Sequence, residues 1–199
     1  MSWFKNKKKK TEIDENSLFD GDDQLFKKIV PSIKCYAEYG CGKSTIWVAN
    51  NSKALIYSID TSQEWITSVR SEIGNREAVL KWIDCGELRD WGTPLTYEKR
   101  ASFLRYAKSV WLDNFNPDTV LIDGRFRVLC FLNSLKYADE GTRIIFDDYI
   151  DRPHYHIVEE FVSRSEVCGR QCLFVVPPRE DIDLALVDSM IEKFEYVMV

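Results

Sequence analysis

The chain has 199 residues, the length of one domain, and 45% hydrophobic and 13% aromatic content supplies ample material for a core. Its formal net charge of −5 argues against a nucleic-acid-binding body, because attraction to phosphate needs a surplus of Lys and Arg. The six cysteines are scattered, mostly in apolar runs, and read as reduced thiols of a cytoplasmic protein; Cys168 and Cys172 sit close together, but no second pair completes a zinc site. Charge follows Met1-Ser2-Trp3-Phe4 directly, so no secretory signal is read, and no apolar run approaches the ~18 residues of a membrane span.

Residues 1–24 differ from the rest. Lys5 and Lys7 to Lys10 form a basic cluster, followed by Glu12, Asp14, Glu15, Asp20, Asp22 and Asp23. Such a segment buries too little apolar area to offset its ordering entropy, so a flexible polar tail is expected. The domain proper is expected over 25–199. Strand and helix patterns then alternate. Residues 33–38 read as a strand and 43–50 as a helix. A second strand, 54–60, ends in Asp60, and 62–73 has helical spacing with Trp65, Ile66, Val69 and Ile73 on one face. Residues 79–84 read as a third strand, 97–112 as a long helix and 119–123 as a fourth strand ending in Asp123. A helix over 125–137 precedes a fifth strand, 142–146, which ends in Asp147-Asp148. A helix over 153–164, a strand over 171–176, a helix over 183–193 and a terminal strand over 196–199 complete the expectation. Alternation with continuous apolar strands predicts an α/β fold: a Rossmann-like, doubly wound, mostly parallel sheet in a single domain.

In such sheets ligands bind beyond the carboxyl ends of the strands, where strand order reverses. Glu38, Asp60, Asp84, Asp123 and Asp147-Asp148 all fall at such ends. Any one of them would be a common helix cap, but a row of acids along one edge repels itself unless hydroxyls, amines or cations lie between. The first turn, Glu38-Tyr39-Gly40-Cys41-Gly42, follows a strand and opens a helix, and its glycines suit a sharp backbone close to a ligand. Asp60, about 20 residues on, is placed to accept hydrogen bonds from a ribose.

This turn resembles the acidic Gly-x-Gly motif of class I S-adenosylmethionine-dependent methyltransferases, and Asp60 matches that family's ribose-binding acid. The resemblance spans residues 33–178. It implies a sheet of strand order 3-2-1-4-5-7-6 with strand seven antiparallel. It also implies a cofactor, S-adenosylmethionine, held by Glu38, Gly40, Cys41, Gly42, Asp60, Asp84 and Asp123. Gly40 and Gly42 would line its methionine portion and Asp84-Cys85 would lie near its adenine. The chain is further similar to metal-dependent small-molecule and sugar O-methyltransferases, whose acids after strands four and five match Asp123 and Asp147-Asp148. That similarity implies a Mg²⁺ ion on Asp123, Asp147 and Asp148, lowering the pKa of an acceptor hydroxyl.

Departures from those relatives are plain in the sequence. Phe126 stands where the catechol-type enzymes carry a Lys base, and Asp123-Gly124-Arg125-Phe126-Arg127 replaces the Asp-Gly-Asp-His run of the sugar-modifying ones. Deprotonation then falls to His154 or His156, the only histidines, with Asp148 as catalytic partner, and His154 at the rim of the site. Arg125, Arg127 and Arg152 are candidate clamps for a carboxylate or phosphate on a small-molecule or saccharide acceptor.

Two other readings stay open. Ala37 to Ser44 fits a relaxed phosphate-loop pattern with Val120-Leu121-Ile122-Asp123 as its partner strand, although Glu38 would place a negative charge inside a phosphate cradle. A Rossmann-like domain can also keep a cofactor pocket and act as a non-catalytic scaffold.

Overall fold

The computed structural model describes residues 17–19 and 21–198. Seven strands form one sheet: β1 Cys35–Tyr39, β2 Leu55–Asp60, β3 Val79–Trp82, β4 Thr119–Ile122, β5 Arg143–Phe146, β6 Glu166–Cys168 and β7 Gln171–Val175. Their order across the sheet is β3-β2-β1-β4-β5-β7-β6. Strands β1 to β5 are mutually parallel, β7 runs antiparallel to β5, and β6 pairs antiparallel with β7. This is the expected architecture and strand order.

The register follows from period-two burial. Ala37 pairs with Tyr57 and Val120, and with Tyr39, Ile59 and Ile122 these residues join one core, together with Phe103, Tyr106, Phe126 and Phe131. Tyr36, Ile56, Leu121 and Ile145 point the other way, onto Phe26, Val48 and Val69. Both faces of the central strands are covered, which is why they read as unbroken apolar runs.

Helices α1 Gln24–Ile29, α2 Lys43–Asn51, α3 Gln63–Ile73, α4 Ala101–Leu112, α5 Arg127–Tyr137 and α6 Leu184–Phe194 supply that cover. Helix α3 starts where Ser62 Oγ accepts from Trp65 N (3.3 Å), and α6 where Asp183 accepts from Leu186 N (2.9 Å). The buried face of α3 carries Val69 and Ile73, whereas Trp65, expected beside them, is exposed. Helix α6 packs on α5.

Several boundaries differ from expectation for local reasons. Residues 97–100 stay outside α4, and 153–160 form tight 3₁₀ turns after Pro153 in place of an α-helix. The antiparallel strands are β6 and β7, ahead of α6, and residues 196–198, expected within a terminal strand, form none. β6 is three residues with Val167 half exposed, too short and polar to show an apolar run. A two-residue ladder, Leu88–Arg89 with Thr93–Pro94, folds a loop over the carboxyl edge of the sheet. At the amino end, Phe19 is already buried, edge-on to Phe26 at 5.3 Å, ahead of the expected boundary at 24. The Lys cluster lies outside the described residues.

The strand order reverses between β1 and β4, each of which ends in a glycine turn. Tyr39 O accepts from both Asp123 N (2.9 Å) and Gly124 N (2.6 Å). Gly40 adopts φ +103, and a Cβ there would lie 2.6 Å from Gly124 N. Only glycine satisfies both demands. Gly42 differs: its φ is extended, and nothing lies within 4 Å of the place a Cβ would take. Gly40→Ala is therefore expected to cost at least about 3 kcal/mol, and Gly42→Ala no more than about 1 kcal/mol, in urea unfolding. Equal losses in the two variants would refute the packing of the two turns.

Candidate active site

Glu38, at the penultimate position of β1, is fully buried and belongs to the fold's interior, not to an open loop. Ser44 and Thr45, from the first turn of α2, donate their hydroxyls to its two carboxylate oxygens, and Ser58 Oγ adds a third contact at 3.3 Å. Burial pushes its pKa up to about 7, against the opposing pull of those three hydroxyls. Thr45 Oγ1 also accepts from Gly42 N (3.1 Å), closing the turn.

Asp60 lies at the end of β2 beside this turn. Its Oδ2 accepts from Cys41 N (2.9 Å) and its Oδ1 from Ser62 N (2.6 Å). Burial raises its pKa to about 6, while the Ser62 and Cys41 amides pull it down. Cys41 supplies a backbone amide; its thiol is buried and pushed up to about 12 by burial and by Glu38. The expected cofactor elements Glu38, Gly40, Cys41, Gly42 and Asp60 thus form one hydrogen-bonded unit. Asp84 stands apart at the surface, with Lys99 and Gly86 N holding its carboxyl below the usual range. The loop carrying the short ladder covers this end: Thr61 Oγ1 donates to Gly92 O (2.7 Å), while Trp91, at φ +62, is 83% exposed.

Asp123, Asp147 and Asp148 do meet, with oxygens all within 4.8 Å of one another. Three guanidinium groups occupy them. Arg127, at the start of α5 and almost wholly buried, reaches Asp123 Oδ1 (3.1 Å) and Asp148 Oδ2 (3.1 Å), and donates to the carbonyls of Gly124 (2.9 Å), Asp123 (2.7 Å) and Asp147 (2.6 Å). Arg152 takes Asp148 Oδ2 at 2.6 Å. Arg170 takes Asp147 Oδ2 (2.6 Å) and Asp148 Oδ1 (3.0 Å), and Gln171 Nε2 donates to Asp147 Oδ1 (2.9 Å). Burial and the adjacent Asp147 carboxylate raise the Asp123 pKa well above the carboxylate range. Mg²⁺ needs oxygens free to close around it, with no competing cation between them. As arranged here these oxygens are engaged by guanidinium groups in an acid–arginine network, which a divalent ion on Asp123, Asp147 and Asp148 would have to displace. Asp148, the expected catalytic partner, is spoken for by three arginines. Its own φ is +59, and buried Phe126, just before Arg127, has φ +56. Both ends of the network thus stand on strained backbone.

His154 is exposed, its ring centroid 4.3 Å from that of Tyr155. Partial burial, then Arg152, His156 and Arg127, lower its pKa. His156 is occupied: Nε2 lies 3.1 Å from Tyr149 O and its ring packs on Tyr149. Sequence reasoning missed Arg170 and Gln171, whose role depends on the β6–β7 turn bringing them to Asp147. It also missed Thr93, which receives a 3.2 Å hydrogen bond from Arg125 Nη1.

No protein-family model matches this sequence, and no curated protein matches it. Among solved structures it is similar to a methyltransferase-like protein from Silicibacter pomeroyi, at 28% identity and a TM-score of 0.78 over 86% of this chain and 92% of that one. Lesser similarity extends to an RNA methyltransferase from Salinibacter ruber in complex with S-adenosyl-L-homocysteine (14% identity, TM-score 0.47, 81% and 94% covered). An N-methyltransferase, NodS, from Bradyrhizobium japonicum is comparably distant (16% identity, TM-score 0.43, 77% and 93% covered). The chain has the Rossmann-like methyltransferase fold.

Two measurements check this site. A carboxyl whose pKa is raised by folding contributes stability that is full below its unfolded value, near 4.5, and lost as pH rises through about 7. The stability of Glu38→Gln relative to the parent should accordingly rise across that window and level off above it; a flat difference contradicts the buried, protonatable Glu38. Arg127→Met should cost about 3–5 kcal/mol by leaving Asp123 without its counter-charge and three carbonyls without their donor, whereas millimolar MgCl₂ or EDTA should leave the parent melting temperature unchanged. A stabilising Mg²⁺ response would restore the metal reading.

Proposed function

We propose that this chain is an S-adenosylmethionine-dependent methyltransferase. The observation that carries the reading is the joined pair of elements at the strand-order reversal, where Asp60 is hydrogen-bonded to the amide of Cys41 in the glycine turn. Each Asp60 oxygen uses one lone pair on the backbone and retains another for a ribose hydroxyl. The similarity to the Silicibacter pomeroyi protein over most of both chains supports the same reading.

The acceptor we propose is the hydroxyl of a small molecule or saccharide. When bound, S-adenosylmethionine supplies an electrophilic methyl group. His154, whose pKa is lowered, takes the acceptor's proton, a role worth about 10²- to 10⁴-fold in rate. Six free thiols, buried or half-buried, support a reducing, cytoplasmic setting, and no helix among the described residues is long and apolar enough to cross a membrane.

The phosphate-loop reading is disfavoured by the turn itself. Ser44, which would serve a nucleotide's Mg²⁺, is buried and donates to Glu38, and Lys43 turns back to Ser17 O at 3.4 Å. A scaffold that binds the cofactor without transferring its methyl group is the remaining alternative.

Titration calorimetry with S-adenosylhomocysteine should show micromolar binding that falls about 10- to 100-fold in Asp60→Asn, the loss of a charged hydrogen bond. Radiolabelled methyl transfer to a panel of hydroxylated small molecules and saccharides then separates enzyme from scaffold. Binding of ATP-Mg²⁺ in preference to S-adenosylhomocysteine would sink the proposal.

A further inference from the structure

Four guanidinium groups stand at the carboxyl edge of the sheet, on Arg125, Arg127, Arg152 and Arg170. Three are neutralised by Asp123, Asp147 and Asp148. Arg125 is the exception: among the described residues no carboxylate lies within ion-pair distance of it. Its Nη1 donates to Thr93 Oγ1 at 3.2 Å, and its Nε is sealed from solvent with no partner. Its Nε is stripped of water without gaining a protein partner, so bulk solvation alone does not balance the charge. A desolvated cation of this kind is stabilised by an anion, and a planar fork suits carboxylate or phosphate oxygens.

The backbone under Arg125 is fixed. Gly124, before it, is wedged against Gly40 and bonded to Tyr39 O. Phe126, after it, is held at positive φ and fully buried, stacked on Phe103 at 4.6 Å and edge-on to Tyr106 at 5.5 Å. The side chain reaches from the turn that carries Asp123 to Thr93, next to Gly92, whose carbonyl accepts from Thr61 beside Asp60. It thus lies at the turn against which the cofactor reading places the methionine portion.

We infer that Arg125 is an anion-recognising residue of this cleft, receiving a carboxylate or phosphate group brought in by one of its ligands. The anion has two sources, the cofactor's own α-carboxylate or an acidic acceptor, and only the first rests on the S-adenosylmethionine reading.

The test compares the parent protein with Arg125→Met and Arg125→Lys, each first checked by circular dichroism and melting; Arg125→Lys keeps the charge but loses the fork, and it carries the test if Arg125→Met does not fold. Calorimetry is run with S-adenosylhomocysteine, with 5′-methylthioadenosine (which lacks the amino-acid portion), and with inorganic phosphate followed by ³¹P NMR on the cofactor-product complex. A loss of about tenfold or more for S-adenosylhomocysteine in Arg125→Met, smaller in Arg125→Lys and absent for 5′-methylthioadenosine, supports the inference and assigns the cofactor carboxylate. Unchanged S-adenosylhomocysteine binding with phosphate binding lost in the variants supports it and assigns an acidic acceptor. Parent and variants that bind S-adenosylhomocysteine and phosphate alike overturn it. Failure of the parent to bind either adenosyl compound overturns the cofactor reading instead, and the phosphate arm, run on the free protein, still decides for or against Arg125.

Discussion

Two turns meet at the reversal of strand order, and their contact sets the position of everything around them. Tyr39 O accepts two amides from the turn after β4, and Gly40 and Gly124 approach so closely that neither has room for a side chain. Because a β-strand is stiff along its length, fixing β1 to β4 at this end also fixes where Asp60, Asp123 and Arg125 emerge. Glu38 anchors the other side of the same turn from beneath, binding the start of α2 through Ser44 and Thr45.

The row of acids along this edge does not share one environment. Glu38 and Asp60 are satisfied by hydroxyls and amides, and burial raises the pKa of each. Asp147 and Asp148 are matched by guanidinium groups arriving from three separate elements, α5, the segment after β5 and the β6–β7 turn. Arginine offers a fixed charge and directional donors without any dependence on a free ion. An arrangement that in outline matches a three-carboxylate metal site is, in detail, a closed ionic network with a strained residue at each end.

Of the four guanidinium groups at this edge, Arg125 alone has no ion pair among the described residues, and it reaches from the turn after β4 to Thr93. His154 is close to arginines that favour its neutral form. In the proposed function these features bind an anionic group, orient it, and accept a proton beside it.

The sequence by itself determined the alternation of strands and helices, the acids at the strand ends and the glycine turn. Each is written locally, in apolar period, in helix caps such as Ser62 and Asp183, or in residues that only glycine conformations allow. It did not contain β6, whose three residues carry too little apolar pattern, nor the exposure of Trp65, which fits a helical face yet stays half exposed. Above all, it could not say whether Asp123, Asp147 and Asp148 would face a metal or arginines. Arg127 is four residues from Asp123, but Arg170 reaches Asp147 only because β7 returns antiparallel beside β5. Ionic pairing between residues so distant in sequence depends on strand order and direction, and only the tertiary structure decides those.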